Sequence, residues 1–342
     1  MTGGAPRKAL VMGASGFVGS HVTRQLVERG DDVRVLLRHT SPTEGIDDLR
    51  VQRCYGDIFD DEAVRAAMSD REVVFYCVVD ARAMLADPAP LFRTNVEGLR
   101  HVLDIAATSD LRKFVYLSTI GTIAVSTDGS AVTEDTPFNW ADKGGPYIEA
   151  RRTAEDMVRS YVRDHGLPAV VLNVSTPYGP GDWQPTPHGG LVARAAMGTM
   201  PFYVAGVSTE VVGVEDAARA LVLAAEHGRN GQRYLISERY LGMRELFEIA
   251  AHETGARPPR IGVPLAGLYA AAYAAEPLRA LRPRKITPFL NVVRLAATTS
   301  PADHGKATRE LGWQPKPVAE AVRRAARFYV ERSARAKENA GR

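Results

Sequence analysis

The stretch LVMGASGFVGSHV, residues 10–22, places Gly13, Gly16 and Gly19 between an apolar run and an amphipathic one. Lys8–Met12 reads as a buried strand, and Val18, Val22 and Leu26 recur at i, i+4 and i+8, one face of a helix. Small residues at such a junction let the backbone turn sharply and approach a pyrophosphate, which then rests on the positive end of the helix. The spacing is GxxGxxG rather than GxGxxG. A glycine triplet alone is weak, and it gains its meaning from the strand before it and the helix after it.

Outward from this turn, short β-branched runs alternate with helical patterns. Strands are expected at Val33–Leu37, Val51–Tyr55, Val73–Val78, Lys113–Ser118, Ala169–Val174 and Arg233–Ile236. A helix from about Leu91 to Ala107 aligns Val96, Leu99, Leu103 and Ala106. Alternation of this kind, with strands apolar throughout, implies an α/β fold: a doubly wound parallel sheet covered on both faces. Residues 1–175, completed by a strand near 233–237, are expected to form a dinucleotide-binding domain. Residues 176–232 and 238–335 are expected to form a smaller, mainly helical substrate-binding or lid region, with 336–342 a frayed tail. TPYGPGDWQPTPHGG, from Thr176, is too long and too aromatic for a plain connector and is a candidate substrate loop.

At 342 residues, 45% hydrophobic and 24% charged, the chain can bury a sizeable core, and the net charge of +3 gives no ground for a nucleic-acid partner. Cys54 and Cys77 lack paired spacing, which argues against a disulfide scaffold or a zinc site and fits a reducing cytosol. No run reaches the ~20 apolar residues of a membrane span. PLAGLYAAAYAA (264–275), followed by the basic LRALRPRK, reads as a buried cap helix with a solvated end, the alternative being an amphipathic contact with a membrane surface.

Two further positions bear on chemistry. The second strand runs into Arg38, His39, Thr40 and Ser41 with no acid, and Asp31 and Asp32 lie at its other end. A carboxylate there would bind a ribose 2′-OH, whereas an arginine accommodates a 2′-phosphate, so NADP(H) is favoured over NAD. In GGPYIEARRTAEDMV, Tyr147 and Arg151 stand at i and i+4 on one helix face. A phenol ionises near pH ~10, so acid–base work near neutrality needs a cation beside it.

GASGFVGS, the YGDIFD turn, NVEGLRHVLDIA, FVYLST and the tyrosine-led helix together resemble the extended short-chain dehydrogenase/reductase family. Within it the chain looks most like the branch of dihydroflavonol-4-reductase-like, 3β-hydroxysteroid dehydrogenase-like and hopanoid-associated sugar epimerase proteins. The similarity runs from about Lys8 to Phe328, with NVSTPYGPGDWQPTP, VVGVEDAARA, GQRYLIS and KATRELGWQP as later landmarks. The resemblance implies a Rossmann-type fold in which Ser15, Gly16, Phe17 and Val18 contact the pyrophosphate and Arg38 the 2′-phosphate. It further implies Asp57 and Ile58 at the adenine, Cys77 and Val78 at the ribose and nicotinamide side, and Val174 and Ser175 at the carboxamide end. Thr119 falls at the active-site Ser/Thr, Tyr147 at the catalytic tyrosine, and Asn95 at a packing or water-holding position.

The family's Tyr-x-x-x-Lys is Tyr-x-x-x-Arg here, in a chain with seven lysines against 36 arginines. Arginine keeps the charge and adds donors, but its planar fork is larger and it does not shed a proton. Val78, Val79 and Asp80 stand where the family has small residues, and Thr119 replaces the commoner serine. The expected activity is NADP(H)-dependent interconversion of a carbonyl and a secondary alcohol on an apolar, possibly ring-containing small molecule. Trp140, Tyr178, Trp183, Phe202 and Tyr203 are its candidate apolar surroundings, with ordinary packing as their other reading. The rivals are an NAD(P)-dependent sugar epimerase or dehydratase and a non-catalytic dinucleotide-binding protein. A homodimer is common in the family.

Overall fold

The computed structural model describes residues 7–82, 87–281 and 289–340. The first part of the chain forms β1 (Lys8–Met12), α1 (Phe17–Glu28), β2 (Asp32–Leu37), β3 (Gln52–Tyr55), α2 (Asp61–Met68), β4 (Val73–Tyr76), α3 (Ala89–Phe92), α4 (Gly98–Ala106), β5 (Lys113–Thr119), α5 (Ala141–His165) and β6 (Ala169–Val174). It is followed by β7 (Thr176–Tyr178), α6 (Pro187–Ala196), β8 (Phe202–Ala205), β9 (Ser208–Gly213), α7 (Val214–His227), β10 (Arg233–Ile236), β11 (Arg239–Gly242) and α8 (Met243–Glu253). The remainder comprises β12 (Ile261–Pro264), α9 (Leu265–Leu281), α10 (Phe289–Ala297), α11 (Gly305–Leu311) and α12 (Val318–Ala340).

Seven strands make one sheet in the order β10-β6-β5-β4-β1-β2-β3, and every pairing in it is parallel. The order reverses between β1 and β4, the place where open α/β sheets bind ligands beyond their carboxyl ends. Side chains alternate to opposite faces and both faces are covered, which is why the strands read as continuous apolar runs. Val11, Val35, Val115 and Leu172 meet Val22 and Leu26 of α1 and Ala217 and Leu221 of α7 on one face. Leu10, Val74, Phe114 and Val171 meet Leu99 and Leu103 of α4 and Ala154 and Val158 of α5 on the other.

The helix expected at about 91–107 is present with a wide π turn at Arg93–Glu97 between α3 and α4. The mainly helical region also carries two small sheets, β11-β9-β7 and β12-β8. The candidate substrate loop is shorter than expected, because β7 takes its first residues and Thr186 caps α6, accepting a hydrogen bond from the Gly189 N–H.

Two expectations are corrected. The 264–275 run does form a helix, α9, but Ala272 is buried while Tyr273 is 56% exposed. Alanine favours helix without needing burial, and α9 packs by one edge, Leu265, Leu268 and Tyr269, on Leu290 and Val293 of α10. The basic residues 282–285 after it lie outside the described residues. The tail expected to fray from 336 continues α12 to Ala340. No helix among the described residues is long and apolar enough to cross a membrane.

Candidate active site

The glycine turn closes on the strand beside it. Gly13 has φ +82°, and a Cβ on it would lie 2.7 Å from the Cys77 carbonyl carbon and oxygen and 2.8 Å from the Val78 nitrogen. A Cβ on Gly19 would sit 2.1 Å from the Gly13 oxygen, whereas one on Gly16 would make a tight contact with it at 3.2 Å. The Gly16 N–H donates to the Gly13 carbonyl at 3.0 Å, and α1 starts at Phe17 with neither a side-chain cap nor an acid in its first turn. Its leading N–H groups thus face outward with the positive end of the helix dipole. A diphosphate fits this cradle.

The other expected site residues are gathered along the carboxyl ends of the same strands. Arg38 follows β2, exposed, and its backbone N–H donates to Ser41 Oγ at 3.0 Å. Asp57 and Ile58 follow β3, and Asp57 Oδ1 accepts the Phe59 N–H at 3.1 Å. Cys77, whose thiol burial pushes up to about 12, and Val78 follow β4. Val174 ends β6, and the Oγ of Ser175 is buried without a hydrogen-bond partner among the described residues. Asn95, in the π turn, accepts the Asp80 N–H at 3.0 Å and donates to the Asp80 carbonyl at 2.9 Å. It clamps the segment after β4, where Val78, Val79 and Asp80 depart from the family pattern.

Strand alternation separates two neighbouring hydroxyls at the end of β5. Ser118 is buried and its Oγ donates to Glu155 at 2.5 Å. Thr119 is half-buried and its Oγ1 accepts the Gly121 N–H at 3.2 Å, which leaves its proton for another acceptor. The next turn touches α5, since a Cβ on Gly121 would lie 2.6 Å from Ile148 Cδ1. α5 contains a break at Gly145 (φ 64°, ψ −176°), after which Pro146 opens the helical run that carries Tyr147 and Arg151. Tyr147, next to Ile148 in this run, is half-buried.

Arg151 is buried, 2% exposed. Its Nη2 donates to the Leu117 carbonyl at 2.5 Å, its Cζ lies 5.4 Å from the centre of the Tyr116 ring, and its Nε has no partner among the described residues. Burial works against its charge, but Tyr116, Tyr147, Tyr76 and the Glu155 carboxylate together outweigh it and hold the guanidinium charged. The longer arginine thus reaches the β5 backbone while staying within electrostatic range of the Tyr147 phenol.

The expected aromatic surroundings are not assembled into one wall. Trp140 donates its Nε1–H to the Ile123 carbonyl at 2.8 Å beneath α5. Tyr178 is core between β7 and α6, Trp183 packs edge-on against Phe328, and Phe202 is exposed on β8. Tyr203 packs, partly buried, against the cluster that holds Tyr178, so ordinary packing accounts for these rings. Two acids escaped the sequence reading. Glu155 lies one turn beyond Arg151 on the same face, and the i, i+4, i+8 spacing of Tyr147, Arg151 and Glu155 was its available signal. Asp182 is buried in the candidate substrate loop, where its Oδ2 accepts from Thr186 N–H at 2.9 Å, Thr186 Oγ1 at 3.0 Å and Tyr329 OH of α12 at 2.5 Å.

Comparison with known proteins agrees with this architecture. The chain is 29% identical over 329 residues to sterol demethylase protein B of Methylococcus capsulatus, spanning 94% of this chain and 98% of that protein. It is 28% identical over 323 residues to a putative dihydroflavonol 4-reductase of Synechocystis, spanning 93% of each. The crystal structure of gox2253 superposes with a TM-score of 0.85 at 32% identity, covering 95% of this chain and 98% of that one. The family model described as NAD dependent epimerase/dehydratase matches residues 9–237. With the glycine turn, the seven-stranded parallel sheet and the Tyr147 helix in place, the chain belongs to the NAD dependent epimerase/dehydratase family, within the extended short-chain dehydrogenase/reductases.

Proposed function

We propose that the protein is an NADP(H)-dependent oxidoreductase that interconverts a carbonyl and a secondary alcohol on an apolar, ring-containing small molecule. The observation that carries this reading is Tyr147 one helical turn before, and in electrostatic range of, the buried Arg151, on a run of α5 that meets the turn after Thr119 through Ile148, at the strand ends that also carry the glycine cradle. The nicotinamide, when bound, gives or takes the hydride. Thr119 directs its hydroxyl proton at the substrate oxygen. Tyr147 donates a proton to that oxygen in reduction and accepts it in oxidation, and Arg151 favours the phenolate and holds the nicotinamide ribose.

Gly13, Ser15, Gly16, Phe17, Val18 and Gly19 hold the diphosphate. Arg38 pairs with the 2′-phosphate, the ground for preferring NADP over NAD. Asp57 and Ile58 flank the adenine, Cys77 and Val78 the ribose, and Val174 and Ser175 the carboxamide. The substrate class leans on the names of the relatives, one called sterol demethylase protein B and one putative dihydroflavonol 4-reductase.

Turnover of NADPH with a panel of cyclic ketones and secondary alcohols tests the reading. Positioned proton transfer contributes about 10²–10⁴-fold, so Tyr147→Phe should lose activity on that scale while still binding NADPH. Full activity in Tyr147→Phe refutes the mechanism. Cofactor that is retained and reduced only transiently, with no net consumption, would instead place the protein among the epimerases or dehydratases.

A further inference from the structure

Tyr147, Arg151 and Glu155 follow one another at single-turn intervals on the inner face of α5, and the last of them is the most heavily bonded side chain near the site. Glu155 is 2% exposed. Its Oε2 accepts from Ser118 Oγ at 2.5 Å, Thr122 Oγ1 at 2.7 Å and Asn173 Nδ2 at 2.8 Å, and its Oε1 faces Arg233 Nη1 at 3.2 Å. Those partners sit on β5, on the turn after β5, on β6 and on β10. Ser118 and Thr122 bracket Thr119, and Asn173 directly precedes Val174. A buried carboxylate is expensive unless its lone pairs are filled and its charge is balanced. Here three neutral donors and the Arg233 cation do both.

We propose that Glu155 is a positioning residue: one carboxylate fixes the end of β5 and its turn against α5, and so sets where the Thr119 hydroxyl stands relative to Tyr147 and Arg151. This rests on the enzymatic reading above. Three independent elements converge on a single oxygen, so sliding α5 by even a fraction of a turn breaks several hydrogen bonds at once. The same carboxylate is also within electrostatic range of Arg151, which ties the charge of the guanidinium to the strand end it bonds through Leu117. Removing the charge loosens the Ser118–Thr122 turn and the Tyr147 turn together, with the cofactor cradle across the sheet untouched.

The experiment compares wild type, Glu155→Gln, Glu155→Asp and Ser118→Ala by amide hydrogen exchange, NADPH calorimetry and NADPH-dependent reduction of 9,10-phenanthrenequinone as a carbonyl probe. For Glu155→Gln the expected result is exchange faster by about tenfold or more, confined to 117–123 and 146–157 and to the residues around Asn173 and Arg233. NADPH affinity should fall by no more than about tenfold, since the Arg151 and Val174 contacts are loosened while the diphosphate cradle is not, and kcat should fall at least tenfold with KM little changed. Glu155→Asp should recover part of kcat, because the charge returns on a shorter arm. Ser118→Ala, which removes one donor and leaves the carboxylate, should give a smaller change of the same kind if Glu155→Gln does not fold. Unchanged exchange in these segments, or exchange accelerated evenly across the sheet, overturns the proposal, as does an unaltered kcat. If wild type binds NADPH but reduces no probe, the enzymatic reading fails, and the exchange pattern alone decides whether Glu155 sets this register.

Discussion

Replacing Gly19 by alanine offers a direct test of where the cofactor phosphates lie. The added Cβ would be 2.1 Å from the Gly13 oxygen and 2.8 Å from its carbon. Carbon–carbon contacts settle at roughly 3.5 Å, so the Gly13 carbonyl must retreat by about 1 Å, and its bond from the Gly16 N–H goes with it. Losing one or two charge-assisted bonds from the turn to a diphosphate costs about 2–4 kcal/mol, or roughly 30- to 1000-fold in Kd. Gly16→Ala meets the protein only at 3.2 Å from the same oxygen, so it should fold nearly as well as wild type while its Cβ weakens binding by crowding the diphosphate itself. Gly30→Ala is the control: Gly30 has φ +86° with nothing within 4 Å of its added Cβ, so it should lose about 1 kcal/mol of stability to backbone strain and leave binding alone. Calorimetry with NADPH, alongside melting curves, separates the three. A Gly19→Ala protein that binds within threefold of wild type would refute the placement of the diphosphate at this turn.

Three other outcomes are expected. Arg38→Ala should weaken NADPH binding much more than NADH binding; equal losses would remove the ground for preferring NADP. Arg151→Lys should lose the bond to the Leu117 carbonyl and reduce turnover, while a gain in rate would show that the guanidinium hinders the chemistry. The third concerns pH. His21 Nε2 lies 3.0 Å from the Pro180 carbonyl, and burial holds its imidazole below the ordinary histidine range. The unfolded chain takes up that proton near pH ~6.5 and the folded one resists it, so the contribution is whole above ~6.5 and is lost as pH falls through that value towards the lowered one. Melting temperatures of His21→Gln should accordingly decline less than those of wild type between pH 8 and 5. Parallel slopes would show that His21 has no part in the acid sensitivity.

Much of the sheet was legible because its strands are buried on both faces, and runs such as Lys113–Ser118 and Ala169–Val174 stand out without any alternation. The glycine turn was legible because spacing, strand and helix coincide within a dozen residues. Arg239–Gly242 and Ile261–Pro264 were not, since four-residue strands ending in glycine or proline carry little pattern of their own and owe their pairing to β9 and β8. The exposed α9 was misjudged because alanine is equally at home in a helix inside or outside a core. Glu155 and Asp182 were passed over for a related reason. An acid in a helix or loop reads as solvated, and only the partners gathered from distant segments reveal that it is buried.

The Tyr329–Asp182 bond links the last helix to the segment before α6, whose Pro180 carbonyl meets His21 of α1. Thr186, held by the same carboxylate oxygen, is the residue that starts α6. A shortened chain lacking α12 would therefore leave an interior acid with fewer donors and free the 179–186 segment to swing. Damage inflicted on the last helix would then be felt 147 residues upstream, at the start of α6 and at the Pro180 contact with α1.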